Sequence, residues 1–208
     1  ARLAGVLGVL GGRRGGGVFF CMPLVPRAAM ALLACARIGA VHSVVFGGFA
    51  ANELARRIDD ARPTLLLTAS GGLEFDRVIE YKPLVDRALQ LAQHQPRHVL
   101  VLQRPQVQAP LQPGRDLDWA EALVGAVPVA PVVLDAGDPL YIMYTSGTTG
   151  KPKGIVRGRG GNAGRMPSQR IARTGCRAVW ARGNKPRADS ARAERAVKQP
   201  PAWGGLAA

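Results

Sequence analysis

Residues Tyr141 to Gly154 read YIMYTSGTTGKPKG, a short apolar run that empties into a loop of Gly, Ser and Thr carrying two lysines. Tyr141, Ile142, Met143 and Tyr144 have the length and β-forming composition of a buried strand, bounded by Asp138-Pro139 before and Gly147 after. The loop has the makings of a phosphate cradle. Gly147, Gly150 and Gly154 tolerate close approach and positive φ, so successive N–H groups can converge on an anion. Thr145, Ser146, Thr148 and Thr149 add hydroxyl donors, Lys151 and Lys153 add charge against a polyphosphate, and Pro152 stiffens the link between the lysines. This is not a Walker loop, because Gly150-Lys151 is followed by Pro152 rather than Ser or Thr. Composition alone also allows a flexible connector, but the loop springs straight from a strand.

Upstream, strands and helices alternate. Leu3, Val6, Leu7 and Leu10 have helical spacing, and the glycines from Gly11 to Gly17 end that element. Val18 to Met22 reads as a strand and Arg27 to Ala36 as a helix with Pro26 in its first turn. Val41 to Phe46 reads as a strand, Gly47-Gly48 as a turn, Asn52 to Asp60 as a helix with Asn52 as its cap, and Thr64 to Thr68 as a strand. A helix over Leu84 to Gln93, with Leu84, Ala88, Leu91 and Ala92 inward, precedes a strand over Val99 to Leu102. Arg104 to Pro113 reads as a surface loop, and Asp116 to Val124 as a short helix capped by Asp116 with Trp119 and Leu123 inward. Nearly all-apolar strands between helices predict an α/β fold, a parallel sheet with helices on both faces.

The loop YTSGTTGKPKG resembles the signature phosphate loop of the adenylate-forming enzymes, which include acyl-CoA synthetases, luciferases and peptide-synthetase adenylation domains. RIGAVHSVVFGGFA (Arg37 to Ala50) and GRDLDW (Gly114 to Trp119) are similar to the acetyl- and propionyl-CoA synthetase branch. The resemblance runs from Leu3 to Arg157. It implies part of the large N-terminal domain of such an enzyme over residues 1–157, and an acid–thiol ligase reaction on acetate or propionate. A carboxylate attacks the α-phosphorus of ATP to give acyl-AMP and pyrophosphate, and the CoA thiolate then takes the acyl group. Thr145 to Gly150 and Lys153 would hold the β- and γ-phosphates, with Mg2+ sharing the charge. It also implies a mitochondrial matrix location, with the cytoplasm as the other choice; no membrane partner is expected, because the longest apolar stretch, Ala28 to Ala36, is too short to cross a bilayer and Arg37 closes it.

With 208 residues, and Ala1 rather than Met first, the chain is shorter than half of a full-length member, so a fragment is expected. No downstream adenine, ribose or hinge motif follows the loop, so the polypeptide alone is expected to be inactive. The net charge of +14 is concentrated late: residues 158–208 hold eleven Lys and Arg against two acids, residues 1–157 seventeen against twelve. That tail lacks aliphatic periodicity and is expected to be disordered, resembling out-of-frame or intron-derived text. A basic tail raises a nucleic-acid partner as the rival reading, but Trp180 and Trp203 are its only aromatics.

Three further groups invite assignment. In SGGLEFDR, Ser70 to Arg77, the resemblance implies contact with the phosphorylated end of CoA through Glu74, Phe75, Asp76 and Arg77. The branch carries two arginines there; this chain keeps Arg77 and has Glu74 in place of the first, which repels phosphate. The alternative is a solvated loop with Arg77 paired to Glu74 or Asp76. His42, His94 and His98 read as surface or strand-end residues rather than metal ligands. Cys21, Cys35 and Cys176 lack metal or redox spacing, and the first two read as buried small hydrophobes.

Overall fold

The structure, a computed structural model, describes residues 1–45, 49–145 and 153–160. In chain order it comprises α1 (Arg2–Val9), β1 (Gly17–Cys21), α2 (Pro26–Ile38), β2 (Val41–Val44), α3 (Ala51–Ala61), β3 (Leu65–Ala69) and β4 (Gly71–Glu74). There follow β5 (Arg77–Glu80), α4 (Tyr81–Leu91), β6 (His98–Leu102), β7 (Asp116–Asp118), α5 (Trp119–Ala122), β8 (Pro139–Thr145) and β9 (Lys153–Gly158).

Seven strands form one sheet in the order β7-β6-β3-β1-β2-β8-β9. The first six in that order run parallel, and β9 returns antiparallel to β8. Because both faces of the central strands are covered, β1 and β3 are buried at every position and need no polar alternation. Val18, Phe20, Leu65, Leu67, Leu100 and Leu102 pack under α1, α2 and Trp119. Phe19, Cys21, Leu66, Val99 and Val101 pack under α3 and α4. The expected sheet with helices on both faces is therefore present, as a mixed rather than purely parallel one. Lys153 to Gly158, read as no element from sequence, pairs antiparallel with β8 as β9.

Several local expectations are corrected. β8 is only half-buried, with Met143 42% exposed, because it lies between β2 and the antiparallel β9, away from the doubly covered centre. Asn52 lies inside α3, whose N-cap is Ala50 without a side-chain hydrogen bond. On α4 the buried residues are Lys82, Val85, Ala88 and Leu89, while Leu91 is exposed, since packing against the Leu54 and Ile58 face of α3 sets the helix rotation. Asp116 begins strand β7 instead of capping a helix; Asp118 caps α5 by accepting from the N–H groups of Ala120 and Glu121. Trp119 is inward as expected. Phe46, the Gly47-Gly48 turn, Cys176 and the tail from residue 161 lie outside the described residues.

Candidate functional site

The chain crosses from one face of the sheet to the other around β1. Helix α2 follows β1 onto one face, whereas α3 and α4 come after β2 and β3 on the opposite face. Such a switch opens a crevice at the carboxyl ends of the strands, where parallel α/β sheets bind ligands. Both predicted sites spring from that end.

The first is the phosphate loop. Thr145 ends β8, Lys153 begins β9, and the two are register partners, so the loop over residues 146–152 is pinned at both ends by one hairpin. Ser146, Gly147, Thr148, Thr149, Gly150 and Lys151 lie outside the described residues. The base of the loop rests on α3. Tyr144 Oη donates to Asp60 Oδ2 at 2.6 Å, and Arg57, 4% exposed, carries its guanidinium carbon 5.9 Å from the Tyr144 ring centroid and 4.3 Å from that of Phe49. Burial raises the phenol pKa of Tyr144, and the hydrogen bond to Asp60 and its charge raise it further, so the hydroxyl stays a donor. Sequence reading missed this network, since Asp60 and Tyr144 stand 84 residues apart.

The second is SGGLEFDR, which the structure makes a β-hairpin, β4 with β5, rather than a loop. Gly71 and Gly72 are required by close approach. A Cβ on Gly71 would fall onto Val107 and the Ile79 carbonyl, and one on Gly72 would come within 2.9 Å of Pro23. Phe75 and Asp76 form the tip, and Phe75 takes φ 53°, a left-handed value uncommon outside Gly, Asn and Asp. Glu74, Phe75, Asp76 and Arg77 are all exposed, Phe75 by 97%. Among the described residues Arg77 forms no ion pair with Glu74 or Asp76. Ser70 is wholly buried and structural: its Oγ accepts from Arg104 N–H, and its carbonyl accepts from Tyr81 N–H.

Just past the hairpin in the chain, α4 begins an ionic cluster around the buried Lys82 and Asp116 that sequence reading also missed. Lys82, 1% exposed, places Nζ 2.8 Å from Asp116 Oδ2 and 2.6 Å from Asp86 Oδ2, and Arg115 bridges the same two carboxylates. Burial opposes ionisation of Asp116, but hydrogen bonds from Arg115, Lys82 and the Gln112 N–H outweigh it and hold the carboxyl below the usual range. The i, i+4 spacing of Lys82 and Asp86 was the one available signal. The cluster ties the start of α4, and so the hairpin, to β7.

His42 corrects the surface reading. Its ring stacks on Tyr141 at 5.7 Å and meets Phe20 edge-on at 6.2 Å, because β2 is an inner strand. His94 is structural: its Nε2 lies 2.8 Å from the Pro63 carbonyl oxygen and its N–H donates to Asp59. Burial pushes the Cys21 and Cys35 thiols up to about 12, which leaves them protonated and unreactive. Among the described residues no three His, Cys, Asp or Glu side chains gather as metal ligands, and Asp60 is engaged by Tyr144, so no Mg2+ ligand is assigned to them. No described helix is long and apolar enough to cross a membrane.

A parallel strand that feeds a Gly/Ser/Thr/Lys loop, closed by an antiparallel return, is a specific combination, and the AMP-binding enzyme profile matches it over residues 1–178. The chain belongs to the AMP-binding enzyme family. This AMP-binding chain is 71% identical over 163 residues to an uncharacterised protein of Pseudomonas aeruginosa, with 78% of the chain and 26% of the relative covered. It is 51% identical over 164 residues to human acyl-CoA synthetase short-chain family member 3, mitochondrial, covering 78% and 24%. To the propionate–CoA ligase of Salmonella typhimurium it is 49% identical over 165 residues, covering 77% and 26%. The solved acetoacetyl-CoA synthetase of Streptomyces lividans superposes with a TM-score of 0.73 at 29% identity, covering 82% of this chain and 26% of that one. The AMP-binding chain thus spans about a quarter of the length of these curated relatives.

Proposed function

We propose that the chain supplies the ATP-phosphate loop and the CoA-contacting hairpin of an ATP-dependent short-chain acyl-CoA synthetase acting on propionate or acetate. The observation that carries this reading is the pinned loop: Thr145 and Lys153 face each other across the β8–β9 pair at the carboxyl end of a parallel strand. A loop held at both ends can present its N–H groups and Lys151 and Lys153 to a polyphosphate with little ordering cost. Thr145 to Gly150 and Lys153 take the β- and γ-phosphates and stabilise the charge on departing pyrophosphate. Glu74, Phe75, Asp76 and Arg77 meet the phosphorylated end of CoA, with Arg77 as the phosphate fork and Phe75 as an exposed face for a base. Mg2+ supplies charge neutralisation on the phosphates when bound. The names of the relatives support the acid class.

Acting without further machinery, the 208-residue chain binds ATP but does not turn it over, because one phosphate loop leaves the acyl group unheld. Its compartment is the mitochondrial matrix, or else the cytoplasm. The division at residue 157, with basic text of out-of-frame or intron origin after it, remains part of the proposal; the profile match to residue 178 is the observation against it.

Calorimetric titration of the pure chain with MgATP tests the reading, alongside an assay of propionate-dependent pyrophosphate release. Binding that Lys153→Ala weakens roughly tenfold, the loss of one charge-assisted contact, supports it. Absent binding, or binding indifferent to Lys153→Ala, overturns the phosphate assignment, and steady pyrophosphate release overturns the inactivity.

A further inference from the structure

We propose that Arg57 and Asp60 of α3 are positioning residues that hold the base of the polyphosphate loop in register with the end of β2; this rests on the phosphate-binding reading of residues 145–153. The two side chains stand three residues apart on one helix face and address Tyr144, next to the last residue of β8. Asp60 accepts the Tyr144 hydroxyl at 2.6 Å. Arg57 lies over both Phe49, which follows β2, and Tyr144, near the end of β8. Because β2 and β8 are parallel neighbours, a single buried guanidinium lies against Phe49, in the segment that leaves β2, and against Tyr144, near the end of β8.

Arg57 completes an i, i+4 pair with Glu53, but its burial and the place of Asp60 are not what helix stability alone would choose. An arginine 4% exposed forfeits most of its hydration, and among the described residues only Glu53 pairs with it, through Oε2 at 3.0 Å and the carbonyl at 2.7 Å. An acid in the last turn of a helix opposes the helix dipole, and the last turn of α3 carries no base to offset it. Both acids there are instead used at long range, Asp59 by the His94 N–H and Asp60 by Tyr144. Packing alone would be served by Leu and Phe at positions 57 and 144. The polar groups add direction, which matters because a displacement of about 1 Å at a reacting phosphate carries a large cost in rate.

The test uses the full 208-residue chain with Tyr144→Phe, Asp60→Ala, Asp60→Asn and Arg57→Lys. Hydrogen exchange is followed by mass spectrometry in peptides covering residues 145–154, with β1 and β3 peptides as reference, and MgATP binding is measured by calorimetry. Tyr144→Phe and Asp60→Ala are expected to speed exchange at residues 145–154 roughly tenfold and weaken MgATP by a similar factor, with β1 and β3 unchanged. Asp60→Asn keeps an acceptor oxygen and restores most of both; Arg57→Lys does not, since an ammonium has no flat face to lay over the rings. Unchanged loop exchange in Tyr144→Phe, equal damage from Asp60→Asn and Asp60→Ala, or loosening that spreads into β1 and β3 would each overturn the proposal. A wild-type chain that ignores MgATP removes the phosphate reading, while the exchange data still decide whether the pair holds the segment.

Discussion

His42 shows how one side chain couples this fold to pH. Burial, helped by the nearby charge of Arg159, lowers its pKa from 6.5 to about 4, so the folded chain holds it neutral while the unfolded chain protonates it near 6.5. Its contribution is complete above pH 6.5 and is lost as the pH falls toward 4, reaching about 3 kcal/mol. Thermal midpoints recorded from pH 7.5 to 4.5 are expected to fall for the wild-type chain and to fall less for His42→Phe. Equal slopes would assign the acid sensitivity to other groups. At this level the thiols were legible, because apolar neighbours in sequence already implied burial of Cys21 and Cys35. His42 was not, since Phe20 and Tyr141 reach it from two other strands.

Helix α4 and strand β7 are joined by charge where the sequence suggested an ordinary amphipathic helix and a cap. Lys82 sits among the most buried residues of the chain and holds Asp86 and Asp116 together. Removing the ammonium leaves the buried Asp116 and the part-exposed Asp86 sharing Arg115 alone, and breaking a buried pair costs about 3–5 kcal/mol. Lys82→Met is therefore expected to shift the urea midpoint strongly downward. Adding Asp116→Asn to Lys82→Met should recover part of the loss, because the second change removes the charge the first one stranded. A double variant as weak as the sum of the single ones would show that the groups act independently. The β4–β5 hairpin was hidden for a different reason: SGGLEFDR carries turn residues and no alternation, and only contact of Gly71 and Gly72 with Val107 and Pro23 makes it a defined element.

Taken whole, the sheet is unevenly clothed. Its centre is sealed by helices on both faces, whereas Val44, Met143 and Val156 on β2, β8 and β9 are 53%, 42% and 45% exposed. Apolar side chains beside a terminal strand favour association between copies. Light scattering after size-exclusion is expected to show an apparent mass that rises with concentration, and Met143→Lys with Val156→Lys should suppress the rise. A monomer at all concentrations would exclude that surface as adhesive. The sequence alone determined the alternation of apolar strands with amphipathic helices, the two-sided burial of β1, β3 and β6, and the residue types of the phosphate loop. All of these follow from composition and spacing within about a dozen residues. Tertiary structure alone decided the strand order, the antiparallel return of β9 and the partners of Lys82, His42 and Tyr144. Apart from Asp86, which shares α4 with Lys82, their partners lie on other elements, for Tyr144 84 residues away, so no local pattern encodes them; they meet only once the folded sheet brings the elements together.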